Sequence, residues 1–529
     1  MSRGEELARG HPRALTDGSS HRASTRRRET TTPPDTNRPD RRRRAHTMED
    51  DHMRSSIIRR AGRAGAILAG LILAIPLGAR AGDYQPKRGP TVDERIEKLE
   101  QEIQQLKAER ASTTDVVKKE DLDSALDSAF KKQKVLAGWQ DGFFLQSPSG
   151  DFKLKLRGYT QADYRFFPFD KGDTGNDSFF LRRVRPIFEG TVYKYFDFRI
   201  MPDFGGGNTV LQDAYLDIKY LPYASVRAGK FKEPVSLERL QSGAELTFIE
   251  RSIEDNLVPN RDVGIMLYGD LADSTFQYQL GLFNGVANGA QSSDGDNQTD
   301  KDFAGRVFVQ PFRSIDVPAL KGLGFGVAGT IGQRTGEPES SLTYKTAGRS
   351  NFYQYISTAS VTGKGDQWRF VPQAYYYVGP FGVMGEYTRT ESHIKGTLGA
   401  APNPITHPQA DERNRGWFVQ SSFVLTGEDA SYKTVVPINN FDPLNGRWGA
   451  FEIAGRVSNV DVNDGPLKAK LAKGADNTWA YTGGLNWYLN KNFKLQLNYE
   501  RANFSQHVAF GTTKRNHEDV LLTRFQLSF

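Results

Sequence analysis

The chain has 529 residues, with 70 Lys and Arg against 63 Asp and Glu, 33 Phe, 21 Tyr and no cysteine. The missing cysteine excludes a disulfide scaffold, thiolate metal sites and thiol catalysis. The formal charge of +7 belongs to the leader: residues 1–81 carry 17 basic and 9 acidic side chains, the remainder 53 and 54. The rest of the chain therefore has no bulk electrostatic reason to bind nucleic acid.

Residues 1–52 are rich in Arg, Pro, Ser and Thr and offer little apolar surface to bury. They read as a disordered extension, or as sequence upstream of a true start at Met48 or Met53. Residues 53–81 have the layout of a secretory signal. Arg54, Arg59, Arg60 and Arg63 precede an apolar run from Ala64 to Leu77, and Ala79-Arg80-Ala81 supplies the cleavage site. That run is shorter than the roughly 20 residues a membrane-spanning helix needs. A linker, 82–90, contains Pro86 and Pro90.

Over 91–137 the sequence is helical. Val92, Ile96, Leu99, Ile103 and Leu106 recur at alternating steps of four and three, a coiled-coil seam. Leu122, Leu126, Ala129 and Phe130 then mark a second short helix. Helices this short are marginal alone in water, so the segment is expected to associate between subunits in the periplasm. No later stretch has 18 consecutive apolar residues. An exported chain without such a stretch is either soluble or a closed β-barrel.

From about Asp151 the period changes to two. Phe152, Leu154, Leu156, Ala162 and Tyr164 share one face, and Lys153, Lys155, Arg157, Gln161 and Asp163 the other. Candidate strands fall near 151–166, 178–192, 195–202, 209–220, 224–231, 262–270, 274–284, 302–311, 322–332, 367–378, 380–391, 415–426, 447–458, 478–489, 492–504 and 518–529. Many exceed the mean soluble strand of about 5 to 6 residues and reach the roughly 9 to 11 that cross a bilayer.

The connections alternate in length. Long polar segments at 167–177, 232–261, 285–301, 333–366, 392–414, 459–477 and 505–517 alternate with tight turns such as 193–194, 221–223, 378–380 and 490–491. That asymmetry belongs to an outer-membrane barrel. Segments 312–321 and 427–446 break it by being long, and 203–208 by being short. Phe166, Phe167, Phe179, Phe180, Tyr375 to Tyr377, Trp479, Tyr481, Trp487 and Tyr488 lie near strand ends as candidate interfacial girdles. The fold class is thus an all-β transmembrane barrel of about 16 antiparallel strands over 138–529, preceded by a short α-helical coiled-coil segment.

If the apolar face meets lipid, the other face lines a lumen. Arg183 and Arg185 share the face opposite Val184, and Arg199, Arg306, Arg369, Arg456 and Arg524 fall inward by the same parity. Asp163, Glu189, Asp213, Asp217, Glu386, Glu452 and Glu500 join them, so a salt-bridged wall without selectivity is an open alternative. A planar guanidinium suits oxyanions because it makes two charge-assisted hydrogen bonds to one phosphate or carboxylate.

The stretches LRRVRPIFEGTVYKYFDFRI, DAYLDIKYLPYASVRAGKFKEPVSLERL, TFIERS, PNRDVGIMLYGDL, YQLGLFNG, WGAFEIAGRVS and LNWYLNKNFKLQLNYER resemble, in that order, the phosphate-selective porins of the O and P type. The resemblance covers roughly 145–529. It implies a trimeric sixteen-stranded barrel whose third external loop folds into the channel, with oxyanions led along arginines to a constriction of Arg and Lys with an acidic partner. Carried over, the paired constriction arginines fall on Arg182 and Arg183, the acidic partner on Asp213, and the loop begins with Lys230 and Lys232. Between residues 230 and 251, Lys230, Lys232, Arg239 and Arg251 are matched by Glu233, Glu238, Glu245 and Glu250, a weak anion trap by count.

The expectation is an outer-membrane porin for small anions such as phosphate. Its partners are membrane lipid and two further copies of itself, with no cofactor, metal, nucleic acid or enzymatic activity. Its pore-lining set is Arg182, Arg183, Arg185, Arg199, Asp213, Lys230, Lys232, Arg306 and Arg456. A non-selective porin and a barrel-anchored surface or adhesion protein are the alternatives.

Overall fold

In the computed structural model, the described residues are 101, 104, 135–168, 177–293, 295, 299–338, 342–357, 359–398, 405–511 and 513–529. The leader, signal and linker lie outside them. So does the expected helical segment, apart from Gln101 and Gln104, which are helical, and its last residues.

Sixteen strands close into one antiparallel ring. The first eight are β3 (Lys153–Phe166), β4 (Ser178–Val192), β5 (Phe196–Asp203), β6 (Val210–Leu221), β7 (Ala224–Lys232), β8 (Arg261–Leu271), β9 (Phe276–Phe283) and β10 (Asp302–Val309). The second eight are β11 (Leu323–Pro338), β14 (Ala359–Val378), β15 (Phe381–Leu398), β16 (Ile405–Val424), β17 (Ala450–Asp461), β19 (Asn477–Tyr488), β20 (Phe493–Phe510) and β21 (Thr513–Ser528). Each pairs with its neighbour in the sequence, and β21 returns to β3 with Leu521 opposite Phe166 and Ser528 opposite Tyr159. Below that seam the free edge of β3 is covered by a hairpin, β1 (Leu136–Trp139) and β2 (Phe143–Gln146), with Phe143 opposite Leu156. The hairpin starts inside the stretch read as helical.

All sixteen expected strands are present. Six run several residues past the ranges read: β11, β14, β15, β16, β20 and β21 have 16, 20, 18, 20, 18 and 16 residues, so much of 333–366, 392–414 and 505–517 is strand rather than loop. Above the bilayer the outward face meets water and the inward face an apolar core that takes Ala359, Val361 and Ile394, so the lipid pattern of apolar outside and polar inside no longer marks the strand. Besides the hairpin of β1 and β2, three further short strands were not foreseen. β12 (Thr343–Lys345), β13 (Asn351–Tyr355) and β18 (Ala472–Gly474) form a small separate sheet. It packs Tyr344, Phe352 and Tyr353 on Ile253 and Leu257 of the third external loop and on Phe504 of the wall.

The outward face is apolar, with Leu154, Leu181, Leu216, Ile265, Leu282, Phe370, Val419 and Phe525 all exposed. Phe179, Trp479 and Tyr481 sit outward as expected of a girdle. Phe167, Tyr375, Tyr377 and Tyr488 do not. Phe167 packs against Ile249 inside, Tyr375 stacks on Tyr432, and Tyr377 and Tyr488 pack together in an interior cluster. Ring chemistry alone does not distinguish an interface from a crowded lumen.

The seam depends on one glycine. Gly158 exchanges backbone hydrogen bonds with Phe529 at 2.8 and 2.9 Å. A Cβ there would meet the Arg185 carbonyl and the Phe529 ring, both at 2.9 Å. Gly158→Val is expected to destabilise the barrel by about 1–3 kcal/mol, the usual cost of overpacking. Urea unfolding in detergent, followed by loss of the heat-modifiable band on a gel, measures it. An unchanged midpoint would show that the C-terminal residue does not lock the ring.

Candidate functional site

Two bulges shape the lumen wall. Between β3 and β4 the register passes from Gln161 opposite Arg183 to Ala162 opposite Leu181, so Arg182 is an inserted residue. Simple alternation would turn Arg182 to lipid. The insertion instead leaves Leu181 exposed and turns both Arg182 and Arg183 inward. Between β5 and β6 the register passes from Met201 opposite Asp213 to Pro202 opposite Leu211, and Gln212 and Asp213 are both buried.

The third external loop, 233–260, crosses the lumen and is held by the wall. Its short helix, α1 (Leu237–Leu240), starts at Ser236, whose Oγ accepts from Arg239 N at 2.9 Å. Glu386 of β15 receives the other donors: Ser236 Oγ and Leu237 N at 2.7 Å, and Glu238 N at 3.2 Å. Farther round the ring Arg456 of β17 donates to Glu250 O at 3.0 Å, Lys494 Nζ of β20 to Leu246 O at 2.9 Å and Arg524 of β21 to Ile249 O at 2.7 Å. Glu250 itself lies among Arg182, Arg183 and Arg524, paired through Arg182 Nη2 at 3.0 Å and within 4.0 Å of the other two. Burial pushes its carboxyl up. The charge and hydrogen bond of Arg182, with Arg183, outweigh burial and hold it well below the ordinary carboxylate range. Burial raises Glu233 well above that range and raises Glu238, as it lowers the Arg251 guanidinium of the same loop.

A segment on the opposite side reaches the same loop. The long connection 425–449, between β16 and β17, turns into the barrel, where Tyr432 OH donates to Leu237 O at 2.6 Å and Tyr432 stacks on Tyr375.

Among the described residues two chambers carry a large excess of basic side chains. The one bounded by the C-terminus and the short turns measures about 830 Å³, and nine Lys and Arg side chains line it against three carboxylates. Lys232, Arg261, Arg199 and Asp213 lie at its inner end. Asp213 takes Arg261 at 2.8 Å and Arg199 at 3.2 Å, and Lys232 Nζ donates to the Leu240 and Gln241 carbonyls. The other chamber, among the external loops, measures about 540 Å³. Among the described residues it is lined by Arg165, Arg349, Lys473, Lys514 and His507 and by no carboxylate. Arg349 sits there at φ +67°, a conformation non-glycine residues hold only where their surroundings fix it.

The expected residues divide accordingly. Arg199, Asp213 and Lys232 converge on the inner end of the larger chamber. Arg185 stands close by, bonded to Asp203 at 2.7 Å and to Tyr159 OH at 2.8 Å. Arg182 and Arg183 clamp the crossing loop. Arg306 and Arg456 point inward but are committed, Arg306 to Gln373 at 2.9 Å and Arg456 to Glu238 at 3.2 Å. Lys230 is a correction. It shares the outward face with its partner Ala214, opposite Phe231, and is buried beneath the fourth external loop, where Nζ donates to Ser292 O at 2.8 Å. The sequence reading omitted Arg261, although PNRDVG contains it, because it opens a strand at a loop junction where parity gives no guide. It omitted Arg349 because an arginine in a loop carries no periodic signal.

The family profile described as phosphate-selective porin O and P matches residues 152–529. Porin O of Pseudomonas aeruginosa is 26% identical over 428 residues, which span 73% of this chain and 91% of the relative. Among solved structures, the outer-membrane protein OmpT of Vibrio cholerae aligns with a TM-score of 0.44 at 10% identity, covering 72% of this chain and 99% of its own. The anion-selective porin from Comamonas acidovorans aligns at 0.43 and 12% identity, covering 72% and 100%.

Removing Glu386 leaves the α1 donors unpaired, a loss of about 1–3 kcal/mol for each buried polar group left unsatisfied. Glu386→Ala is expected to loosen the crossing loop, giving single-channel records with larger conductance and more flicker. A trace as quiet as wild type would show that the loop is held elsewhere.

Proposed function

Because the chain belongs to the family of phosphate-selective porins O and P, we propose that this outer-membrane porin passes small anions, phosphate and related oxyanions among them, through the two basic chambers. The observation that carries the reading is the charge of the water-filled space. Of the nine cations that line one chamber, Lys155, Lys232, Lys433 and Lys494 have no carboxylate at ion-pair distance among the described residues, and no described carboxylate lines the other chamber. Throughput needs contacts strong enough to attract and weak enough to release, and spaced lysines and arginines in water meet that need better than one deep site. In this reading Arg199, Lys232 and Arg261, with Asp213, form the constriction, while Arg182, Arg183 and Arg456 fix the loop that narrows it. The homotrimer implied by the resemblance belongs to the same proposal, and native mass spectrometry in detergent checks it.

The paired wall arginines favour a second reading, a porin without anion preference. Planar-bilayer recording separates the two. Anion conduction predicts a reversal potential in a KCl gradient on the chloride side and chloride current inhibited by added phosphate. Lys232→Gln and Arg349→Gln are each expected to lower the chloride-to-potassium permeability ratio several-fold. A reversal potential on the potassium side rejects the anion reading, and chloride current indifferent to phosphate selects the non-selective porin. Negligible conductance would point to a barrel that serves only as an anchor.

A further inference from the structure

Above the girdle, on the outside of the barrel, the register creates a charge problem. Arg389 of β15 and Arg415 of β16 are direct cross-strand partners. Both lie on the outward face, shared with Phe381 on one strand and with Val419 and Phe423 on the other. Like charges directly opposite each other destabilise a strand pair. Arg415 is relieved by Asp461, which its Nη2 reaches at 2.7 Å. Arg389 has the ring of Trp368 at 5.6 Å, and among the described residues no carboxylate lies within ion-pair distance of it.

Their height is fixed by the residues below. Two positions nearer the membrane on the same face, Tyr387 and Trp417 are again direct partners, and Trp417 meets Trp479 edge to face at 5.6 Å. Two residues are about 7 Å of strand. The arginines therefore stand one step above an aromatic belt, in the layer where lipid headgroups lie and where an outward cation costs little. Arg389, Arg413 and Arg415 line one depression of about 430 Å³ with Tyr387 at its lower edge. The carboxylates on its rim are already engaged: Asp461 by Arg415, Asp464 by Lys468 at 2.6 Å, and Asp476 by Ser505 Oγ.

We propose that the Arg389–Arg415 pair binds the phosphate of a phosphorylated outer-leaflet glycolipid, whose acyl chains run down over Tyr387 and Trp417. Asp461 takes Arg415 through both Nε and Nη2, so a phosphate seated between the two guanidinium groups accepts from the fork of Arg389 and from Arg415 Nη1, and supplies the negative charge that Arg389 lacks. The site lies on the outer surface and does not depend on what passes through the lumen.

The test uses the full-length protein purified in detergent, with native mass spectrometry counting bound lipid per chain. The probes are bisphosphorylated lipid A, the same lipid chemically dephosphorylated, and inorganic phosphate as competitor. Wild type is expected to hold lipid A, to hold the dephosphorylated lipid poorly, and to keep lipid A in millimolar phosphate. Arg389→Gln/Arg415→Gln is expected to bind lipid A about ten-fold more weakly, equivalent to about 1.4 kcal/mol. Arg501→Gln, an outward arginine already paired with Asp519 at 3.4 Å, should bind as wild type. Heat-modifiable migration of each variant shows that the barrel is folded, and wild-type conductance of the double variant shows that the channel is intact. Equal binding of the dephosphorylated lipid, unchanged affinity in the folded double variant, an equal loss in Arg501→Gln, or release by inorganic phosphate would each overturn the proposal.

Discussion

In hydrocarbon a peptide group without a partner costs several kcal/mol, and no water is present to supply one. A sheet in that medium cannot have an edge, so the structure depends on the pairing of its last strand with its first. β21 and β3 meet over eight residue pairs, and the terminal Phe529 adds two backbone bonds to Gly158. Below that point β3 has no partner from β21, and the hairpin of β1 and β2 covers the exposed edge. The closed ring then fixes which side chains meet lipid and which meet the lumen, so every later feature inherits its orientation from the seam.

Inside the ring, strict alternation is a constraint as well as a guide. It permits one inward residue in every two, yet a wall that must both bind the crossing loop and face water needs more polar groups at one level. The bulges at Arg182 and Gln212 meet that need by adding one residue, which moves the pairing on by one and sets two inward side chains in succession. Arg182 and Arg183 can then both reach Glu250, while Arg185, two residues on, keeps Asp203 and Tyr159. Asp213 gains room beside Gln212 to take Arg199 and Arg261 together.

The sequence revealed the barrel because lipid enforces the alternation it reads. Leu154, Leu156 and Ala162 opposite Lys155, Gln161 and Asp163 could be sorted before any coordinate was known, and the structure keeps that sorting. The signal faded where lipid stops acting. Strands β14 and β15 continue above the membrane with Val361 and Ile394 turned inward into an apolar core and polar residues outward, the reverse of the pattern in lipid, and the sheet of β12, β13 and β18 pairs segments more than a hundred residues apart in sequence, which no local pattern announces. At the site, parity placed Arg199, Arg306, Arg456 and Arg524 correctly, whereas Arg182 needed the resemblance because a bulge overrides parity. Lys230 and Lys232, two apart on one face, ended in different places. The chain bends into the lumen at the end of β7, so Lys232 reaches the chamber and Lys230 stays beneath the fourth loop.

The lumen arginines consequently do two kinds of work, and charge pairing separates them. Arg456 and Arg524 are almost inaccessible to water: Arg456 holds the Glu238 carboxylate and the Glu250 carbonyl of the crossing loop, and Arg524 ties the loop carbonyl of Ile249 to Asp163 of β3. Their fields are largely cancelled within a few ångströms, so their value is geometric. Breaking such a pair strands a buried charge at high cost, which makes the loop position rigid. Cations that line the chambers without a matching carboxylate act at longer range, over the roughly 8 Å that charges project at physiological ionic strength. A count of arginines along the sequence cannot separate the struts from the field. Their partners do so, and those partners come mainly from a loop that folds inside the barrel.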